Sequence, residues 1–149
     1  MKKIIICALF SAFFISCNNP EEGTKNLQLA TKVQPLVDPA QAKVEQWSAY
    51  RALEQNIRTI SNTNALNSIS LQERMVRNVS AMSKQIPKEL RTKNVIAQIA
   101  RINEKVERFY KEIDEEEMHE RVVDRHLREI IEAFDDLNKE INHAVIKHM

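Results

Sequence analysis

The fold of this chain is decided by residues 92–148, which read TKNVIAQIARINEKVERFYKEIDEEEMHERVVDRHLREIIEAFDDLNKEINHAVIKH. Apolar residues recur there at alternating steps of four and three, the spacing of one helix face. Further apolar residues beside them make the stripe wider than a two-stranded coiled-coil seam, which favours the inside of a helical bundle. The predicted stripe is Val95, Ile99, Ile102, Val106, Phe109, Ile113, Val123, Leu127, Ile130, Phe134, Leu137, Ile141 and Ala144, flanked by Ile96, Tyr110, Ile131 and Val145.

The stripe is interrupted at residues 114–119, where the chain reads DEEEMH. Either one helix of about 80 Å runs through this region, or the chain folds back into a helical hairpin. Four consecutive carboxylates repel one another along one helix, but they are favourable in the first turn of a new helix. We therefore favour the hairpin, although the region contains no Gly or Pro that would break a continuous helix.

The preceding residues carry two helix start signals. Asp38 with Pro39 predicts a helix over residues 39–61, which the polar string at residues 61–64 ends. A capping box at residues 70–73 predicts a shorter helix that stops before Pro87. No alternating pattern supports a strand. The sequence thus predicts an all-α fold: an up-down bundle of three to four antiparallel helices with coiled-coil-like packing.

The N-terminus has the pattern of an export signal. A basic head, Met1-Lys2-Lys3, precedes an apolar run at residues 4–14 that is too short to span a bilayer, and Ser16-Cys17 follows. This arrangement resembles the signal of bacterial lipoproteins, although Phe14 stands where that family usually has Leu. The resemblance implies that residues 1–16 are removed and that Cys17 is the lipid attachment site.

The resemblance also sets the expected domain organisation and location. Residues 17–37 would form the lipidated Cys and a flexible tether, and residues 38–149 the helical bundle domain. Several acyl chains, at roughly 0.8 kcal/mol per buried methylene, would hold the domain to a membrane of the cell envelope. We expect the periplasmic face of the outer membrane. The acidic start at residues 18–22 also resembles a run that directs some lipoproteins to the cell surface.

Charge is unevenly distributed along the chain. Residues 62–111 hold ten Lys or Arg against four acidic residues, and residues 112–140 hold four against twelve. The simpler interpretation, which we favour, is that a basic helix pairs with an acidic antiparallel neighbour. Alternatively, a basic band binds anionic headgroups or the acidic surface of a partner. Nucleic acid is not expected, because the export signal removes the chain from the cytoplasm. The band is Arg74, Arg77, Lys84, Lys88, Arg91 and Lys93.

Two Glu-x-x-His pairs have the spacing used by di-iron carboxylate bundles. They are Glu116 with His119 and Glu140 with His143. The two pairs take different register positions and therefore point in different directions from the apolar seam. We predict that neither forms a metal site.

Other signs of catalysis or ligand binding are also weak. Cys7 lies in the segment that would be removed, so the mature chain would keep no thiol free for a disulfide, a zinc site or a nucleophile. Gly23 is the only Gly, which argues against a phosphate-binding loop. Trp47, Met75 and Met82 are predicted to be core residues, with a hydrophobic ligand groove as the alternative. We predict no catalytic, cofactor or metal site.

These observations favour a membrane-anchored bacterial envelope lipoprotein that acts as a non-catalytic helical interaction or scaffold module, with a protein partner in the envelope. One alternative is a periplasmic bundle that binds a metal or a small ligand. Another is an elongated oligomeric coiled-coil spacer that resembles the murein lipoprotein in function. That family anchors through a terminal Lys, whereas this chain ends Lys147-His148-Met149.

Overall fold

The computed structural model describes residues 27, 29, 31–115 and 119–147. These residues contain six α-helices, one 3-10 helix and no strand, which confirms the predicted all-α class. None of these helices is both long enough and apolar enough to cross a bilayer. The α-helices are α1 (Asp38–Val44), α2 (Ser48–Ile60), α3 (Ala65–Ser70), α4 (Gln72–Lys84), α5 (Lys93–Glu115) and α6 (Glu120–Ile146), and the 3-10 helix is Lys88–Leu90.

The two longest helices, α5 and α6, are antiparallel neighbours. The amide of Asn94 near the start of α5 lies 2.9 Å from the carboxylate of Glu140 near the end of α6. The Lys105 ammonium, further along α5, lies 2.8 Å from Glu129, which is earlier in α6. The two helices are therefore not parts of one continuous rod, and the hairpin is the better interpretation of the stripe.

The predicted apolar stripe forms the core between these helices. All thirteen of its members are buried except Ile113, which is partly buried. Among the flanking residues, Tyr110 and Ile131 are buried and Val145 is partly buried, but Ile96 is 46% exposed. Burying one such aliphatic side chain contributes about 1.5–3 kcal/mol, so this stripe is a large part of what stabilises the fold.

The prediction of one helix over residues 39–61 is wrong, because the chain bends between α1 and α2. Trp47 adopts φ −90° and ψ 80°, outside helical geometry. Between Ala40 and Ile60 the apolar steps are mostly threes, so at 100° per residue these two side chains would lie about 160° apart around a straight helix. The bend lets both pieces turn their apolar residues into the same core.

The second predicted helix also begins differently. The Ser70 hydroxyl donates to the Asn67 carbonyl at 2.7 Å within α3, so it does not cap a helix that starts at residue 71. Instead, Asn64 caps α3, because its side chain accepts a hydrogen bond from the Asn67 N–H at 2.9 Å. Helix α4 ends at Lys84, three residues before Pro87. The described ranges thus contain six α-helices instead of the predicted three to four, because the first two predicted helices are each divided or begin elsewhere.

Residues 31–37, which precede the predicted domain start at residue 38, are not helical, and residues 34–37 lie against α6. The side-chain amide of Asn142 makes two hydrogen bonds to the segment. Its Oδ1 accepts from the Val37 N–H at 2.9 Å, and its Nδ2 donates to the Pro35 carbonyl at 3.1 Å. Asn138 donates to the Gln34 carbonyl at 2.8 Å. The contacts of the bundle therefore include part of the segment that was predicted to be a flexible tether.

Candidate interaction surface

The facing sides of α5 and α6 carry a ladder of ion pairs, which we call the paired face. Lys105 and Arg108 of α5 both contact the carboxylate of Glu129. Arg101 lies 2.8 Å from Asp136. The hydrogen bond from Lys105 is the largest cause of the lowered pKa of Glu129, and the lowered pKa of Asp136 is caused mainly by Lys139. On this face, the expectation that basic and acidic helices pair with each other is confirmed.

A buried histidine lies at one end of the paired face, where α5 ends and α6 begins. His126 is 2% exposed, and its Nε2 lies 2.7 Å from Oε2 of Glu112. Arg125 reaches the same Glu112 oxygen at 3.3 Å. The imidazole ring also packs on Phe109, with 5.5 Å between ring centroids. Its polar and apolar sides are both in contact with the protein, so it belongs to the packing of the hairpin.

The basic band behaves differently from the paired face. All six of its side chains are exposed. In the part of the chain that the structure describes, none of the six takes part in an ion pair or a side-chain hydrogen bond. The internal pairing that accounts for the cations of α5 beside α6 therefore does not account for Arg74, Arg77, Lys84, Lys88, Arg91 and Lys93.

An apolar groove runs between α4 and α5 beside this band. Two large apolar side chains are exposed along it, Val76 from α4 and Ile96 from α5, at 37% and 46%. Its volume is about 680 Å³. The buried Val79, Ile86 and Ile99 also line it. Small or polar side chains, among them Ser80, Ser83, Ala100 and Asn103, complete its walls, and Arg91 stands at one end.

A second depression of about 670 Å³ lies on the other side of Arg91. Lys43, Lys88 and Arg91 line it together with one carboxylate, Glu89, which is 4.0 Å from Lys43. Because Arg91 borders both depressions, the apolar groove opens directly onto a cluster of cations.

The cation cluster and Leu27 are at opposite ends of the bundle. Leu27 donates its N–H to the Thr63 carbonyl at 2.9 Å, beyond the end of α2. Tyr110, near the end of α5, donates to the neighbouring Ser68 carbonyl at 3.2 Å, so this Leu27 end contains the last turns of α5. Lys88, Arg91 and Lys93 lie at the other end, which we call the basic end. From Lys93 to Tyr110 the rise along α5 is about 26 Å.

Sequence reasoning missed the amides that hold the N-terminal segment. Asn138 lies beside the apolar stripe of α6, and its Oδ1 accepts from the Tyr50 hydroxyl at 2.8 Å. Burial is the main cause of the raised pKa of Tyr50, so the hydroxyl stays protonated and donates. The signal that could have located this contact is a pair of Asn residues, 138 and 142, four apart on an otherwise apolar face.

The proposed lipid attachment site and the candidate metal pairs are placed as follows. Cys17 and Glu116 lie outside the described residues. Glu140 accepts a hydrogen bond from Asn94, and His143 is exposed. Within residues 27, 29, 31–115 and 119–147, no three His, Cys, Asp or Glu side chains form a group that could hold a metal ion.

The residues considered for a hydrophobic ligand groove are in the core. Trp47, Met75 and Met82 are each at most 1% exposed, and Trp47 stacks on Tyr50 with 5.6 Å between ring centroids. They pack as predicted, and none of them lines the groove between α4 and α5.

Comparison with known proteins gives no match, whether to a family model, a curated protein or a solved structure. The functional assignment is therefore based on the residues and their arrangement.

Proposed function

We propose that this chain is a bacterial envelope lipoprotein, anchored to a membrane through lipid on Cys17, whose helical domain is a non-catalytic module that binds the acidic surface of a protein partner. The observation that carries the proposal is the basic band, six exposed cations with no internal ionic partner in the described residues. Cations left without a partner attract acidic surfaces and accelerate association with them.

The domain in this proposal is an up-down bundle with coiled-coil-like packing. Its support is the opposite direction of α5 and α6, together with the packing of α4 against both α2 and α5. The apolar stripe is covered by helices of the same chain. A stripe covered in this way favours a compact module over an elongated oligomeric spacer, which would need other protomers to cover it.

The position of the anchor favours a protein partner over the headgroups of the anchoring membrane. Leu27 lies ten positions after Cys17, and the flexible tether that the sequence predicts there would have a mean reach of about 18 Å. This is shorter than the distance of about 26 Å between Lys93 and Tyr110 along α5. The Leu27 end is therefore held closer to the membrane on average, and the basic end is presented away from it.

The anchor is tested by replacing Cys17 with Ala in the full chain and separating membranes from soluble material. We expect Cys17→Ala to leave the membrane fraction or to remain unprocessed, because the lipid has no other attachment point. Cys7→Ala, in the segment that would be removed, is the matched control and should fractionate like the parent. Membrane retention and normal processing of Cys17→Ala would contradict the assignment.

The partner is tested by reversing charge on the band. We expect the combined Lys84→Glu, Lys88→Glu and Arg91→Glu variant to lose a protein that co-purifies with the lipidated parent from envelopes, and added salt to weaken the parent's complex. The control reverses three exposed cations outside the band, Lys32, Arg51 and Lys147, which changes the net charge equally. Equal retention by the two variants would show that the band does not bind the partner.

A further inference from the structure

We propose that the groove between α4 and α5 is the seat of an amphipathic helix from the partner protein, with carboxylates concentrated toward the Arg91 end of that helix. This inference rests on the proposed function and adds the structural class of the partner and its direction. Binding a helix by its apolar face in a hydrophobic groove is a recurrent recognition mode.

The shape of the groove supports a helix as the occupant. Val76 and Ile96 stand exposed on the two walls and offer apolar contacts from both sides. Between them, Ser80, Ser83 and Ala100 are short, so a third helix can approach to the 8–10 Å that is typical of packed helices. Helix α4, which forms one wall, is 13 residues long, so the groove accommodates about three to four turns of a partner helix.

The charges around the groove give the direction. Arg91 closes one end, and Lys93 lies next to it at the start of α5. At the opposite end, Glu107 lines the wall and accepts a hydrogen bond from Asn103 at 2.7 Å. A complementary helix therefore carries its carboxylates toward Arg91 and has few of them near Glu107, because like charges placed together are unfavourable.

Arg77 extends the positive side of the groove along α4. It lines a shallow depression with Val76 and Ser80, both of which also belong to the groove. Lys84 lies seven residues further along, two helical turns away on the same side of α4. Of these two cations, Lys84 lies toward the Arg91 end, where the seated helix carries its carboxylates, whereas Arg77 shares its depression with Glu73.

A second copy of this chain is a poor occupant. Several carboxylates of α6 that could complement the band already contact cations of their own chain, as Asp124 does with Arg128 and Asp135 with Lys139. Using them for a second copy would require breaking these contacts. The basic end also lies away from Leu27, which makes the anchoring membrane a less favourable occupant than a protein helix.

The test places a photo-crosslinking amino acid at Ala100 in the full lipidated chain, in cells that express it, and identifies the adducts by mass spectrometry. Ala100 is exposed inside the groove, and the control probe at Glu132 is exposed on α6. We expect the probe at Ala100, but not at Glu132, to yield one protein segment with apolar residues at helical spacing and carboxylates toward one end.

Two matched variants make the test specific. Ile96→Asp places a carboxylate in the groove and should lower the adduct yield by about tenfold, the effect of one unfavourable contact of moderate strength. Leu66→Asp on α3 alters a side chain of nearly equal exposure, 45% against 46%, and should leave the yield unchanged. Because both positions are exposed, both variants should fold, and circular dichroism melts check this.

Any of four results would overturn the groove assignment: no adduct at Ala100, an adduct with lipid, an adduct with a second copy, or equal yields from the two Asp variants. If charge reversal on the band still releases the partner in these cases, the proposed function stands without the groove. If charge reversal also leaves the partner bound, the proposed function fails as well.

Discussion

Helix α5 has two charged flanks, and they differ in what their charges contact. Toward α6, Arg101, Lys105 and Arg108 each reach a carboxylate of the neighbouring helix. At the start of α5, Lys93 joins the band on α4 and the 3-10 helix, where no cation has an ionic partner in the described ranges. The excess of positive charge in this region therefore has two explanations. Some cations form ion pairs within the fold, and the others are available to bind a partner.

The difference teaches how to separate structural charges from binding charges. A paired charge helps to fix the direction and register of two helices, even though an exposed pair contributes only about 0–1 kcal/mol. Unpaired cations close together, such as Arg74 and Arg77 three residues apart on α4, repel each other by roughly 0.2–0.5 kcal/mol. Arg74 and Arg77 therefore gain nothing from lying close together in the fold, and no ion pair among the described residues accounts for the other cations of the band, which is why we assign the band to binding.

The largest expected effect concerns the apolar seam beneath the paired face. Leu127 is 1% exposed in α6, and Leu127→Ala should lower the free energy of unfolding by about 2–5 kcal/mol, because a cavity remains in the core. The control is Arg128→Ala, which removes a partly exposed i,i+4 pair with Asp124 and should have a small effect. Similar effects in denaturant melts would show that the buried face of α6 is misplaced. The distinction between the paired and the unpaired side of α5 would then be wrong.

The next effect concerns the other side of α6, where amides rather than charges are paired. Asn138→Ala removes the acceptor of the buried Tyr50 hydroxyl, which should lower the free energy of unfolding by about 1–3 kcal/mol. Asn94→Ala makes the same replacement at an exposed site on α5 and is the matched control. If chemical denaturation gives the two variants equal stability, the contact between α2 and α6 does not contribute as the structure indicates.

A smaller effect is expected from the centre of the paired face. Glu129→Gln removes the charge that Lys105 and Arg108 share and should lower the free energy of unfolding by about 0.5–1 kcal/mol near neutral pH. The pKa of Glu129 is lowered from 4.5 in the fold. The carboxylate therefore stabilises the protein above the unfolded value, and this stabilisation is lost as the pH falls through the lower folded pKa.

The measurement for Glu129 is a series of melts from pH 7 to acid. The difference in the free energy of unfolding between the parent and Glu129→Gln should be largest near pH 7 and should become smaller once the pH falls below about 4.5. A difference that is constant with pH would mean that the ion pairs are not its cause.

The smallest effect on stability is expected from the unpaired cations of the basic band. Arg77→Ala combined with Lys84→Ala removes two unpaired cations of the band and should change the free energy of unfolding by less than about 0.5 kcal/mol. Thermal melts beside Glu129→Gln give the direct comparison. A loss of stability larger than that of Glu129→Gln would place these cations among the structural charges.

The sequence predicted the features that depend on local periodicity. The buried faces of α5 and α6 follow from apolar spacing alone, and Phe109, Leu127 and Ile130 are buried as predicted. Ile96 was placed on the same stripe, but it lies on the flank toward α4, where the groove leaves it exposed. Periodicity shows which residues share a face, but it does not show how completely a neighbouring helix covers them.

Features that depend on distant partners could not be predicted in the same way. Asn142 contacts backbone groups more than one hundred positions earlier in the chain, and no local pattern links them. The unpaired state of Arg77 and Lys84 depends on α4 having α2 and α5, rather than the acidic helix α6, as its main neighbours. The bend at Trp47 was accessible from the sequence, since the three-residue steps around it rotate the apolar face.

The segment at residues 31–37 has a mechanical consequence. It runs in the same direction as α6, because Gln34 contacts Asp135 and Asn138, and Val37 contacts Asn142 further along. Tension applied on the N-terminal side of Leu27 therefore acts along the axis of α6 rather than away from its surface. The hydrogen bonds to Asp135, Asn138 and Asn142 are then loaded together in shear, so several must break at once before force reaches α1. Loading in shear resists force better than breaking the same hydrogen bonds one after another, so this segment protects α1 from tension on the N-terminal side.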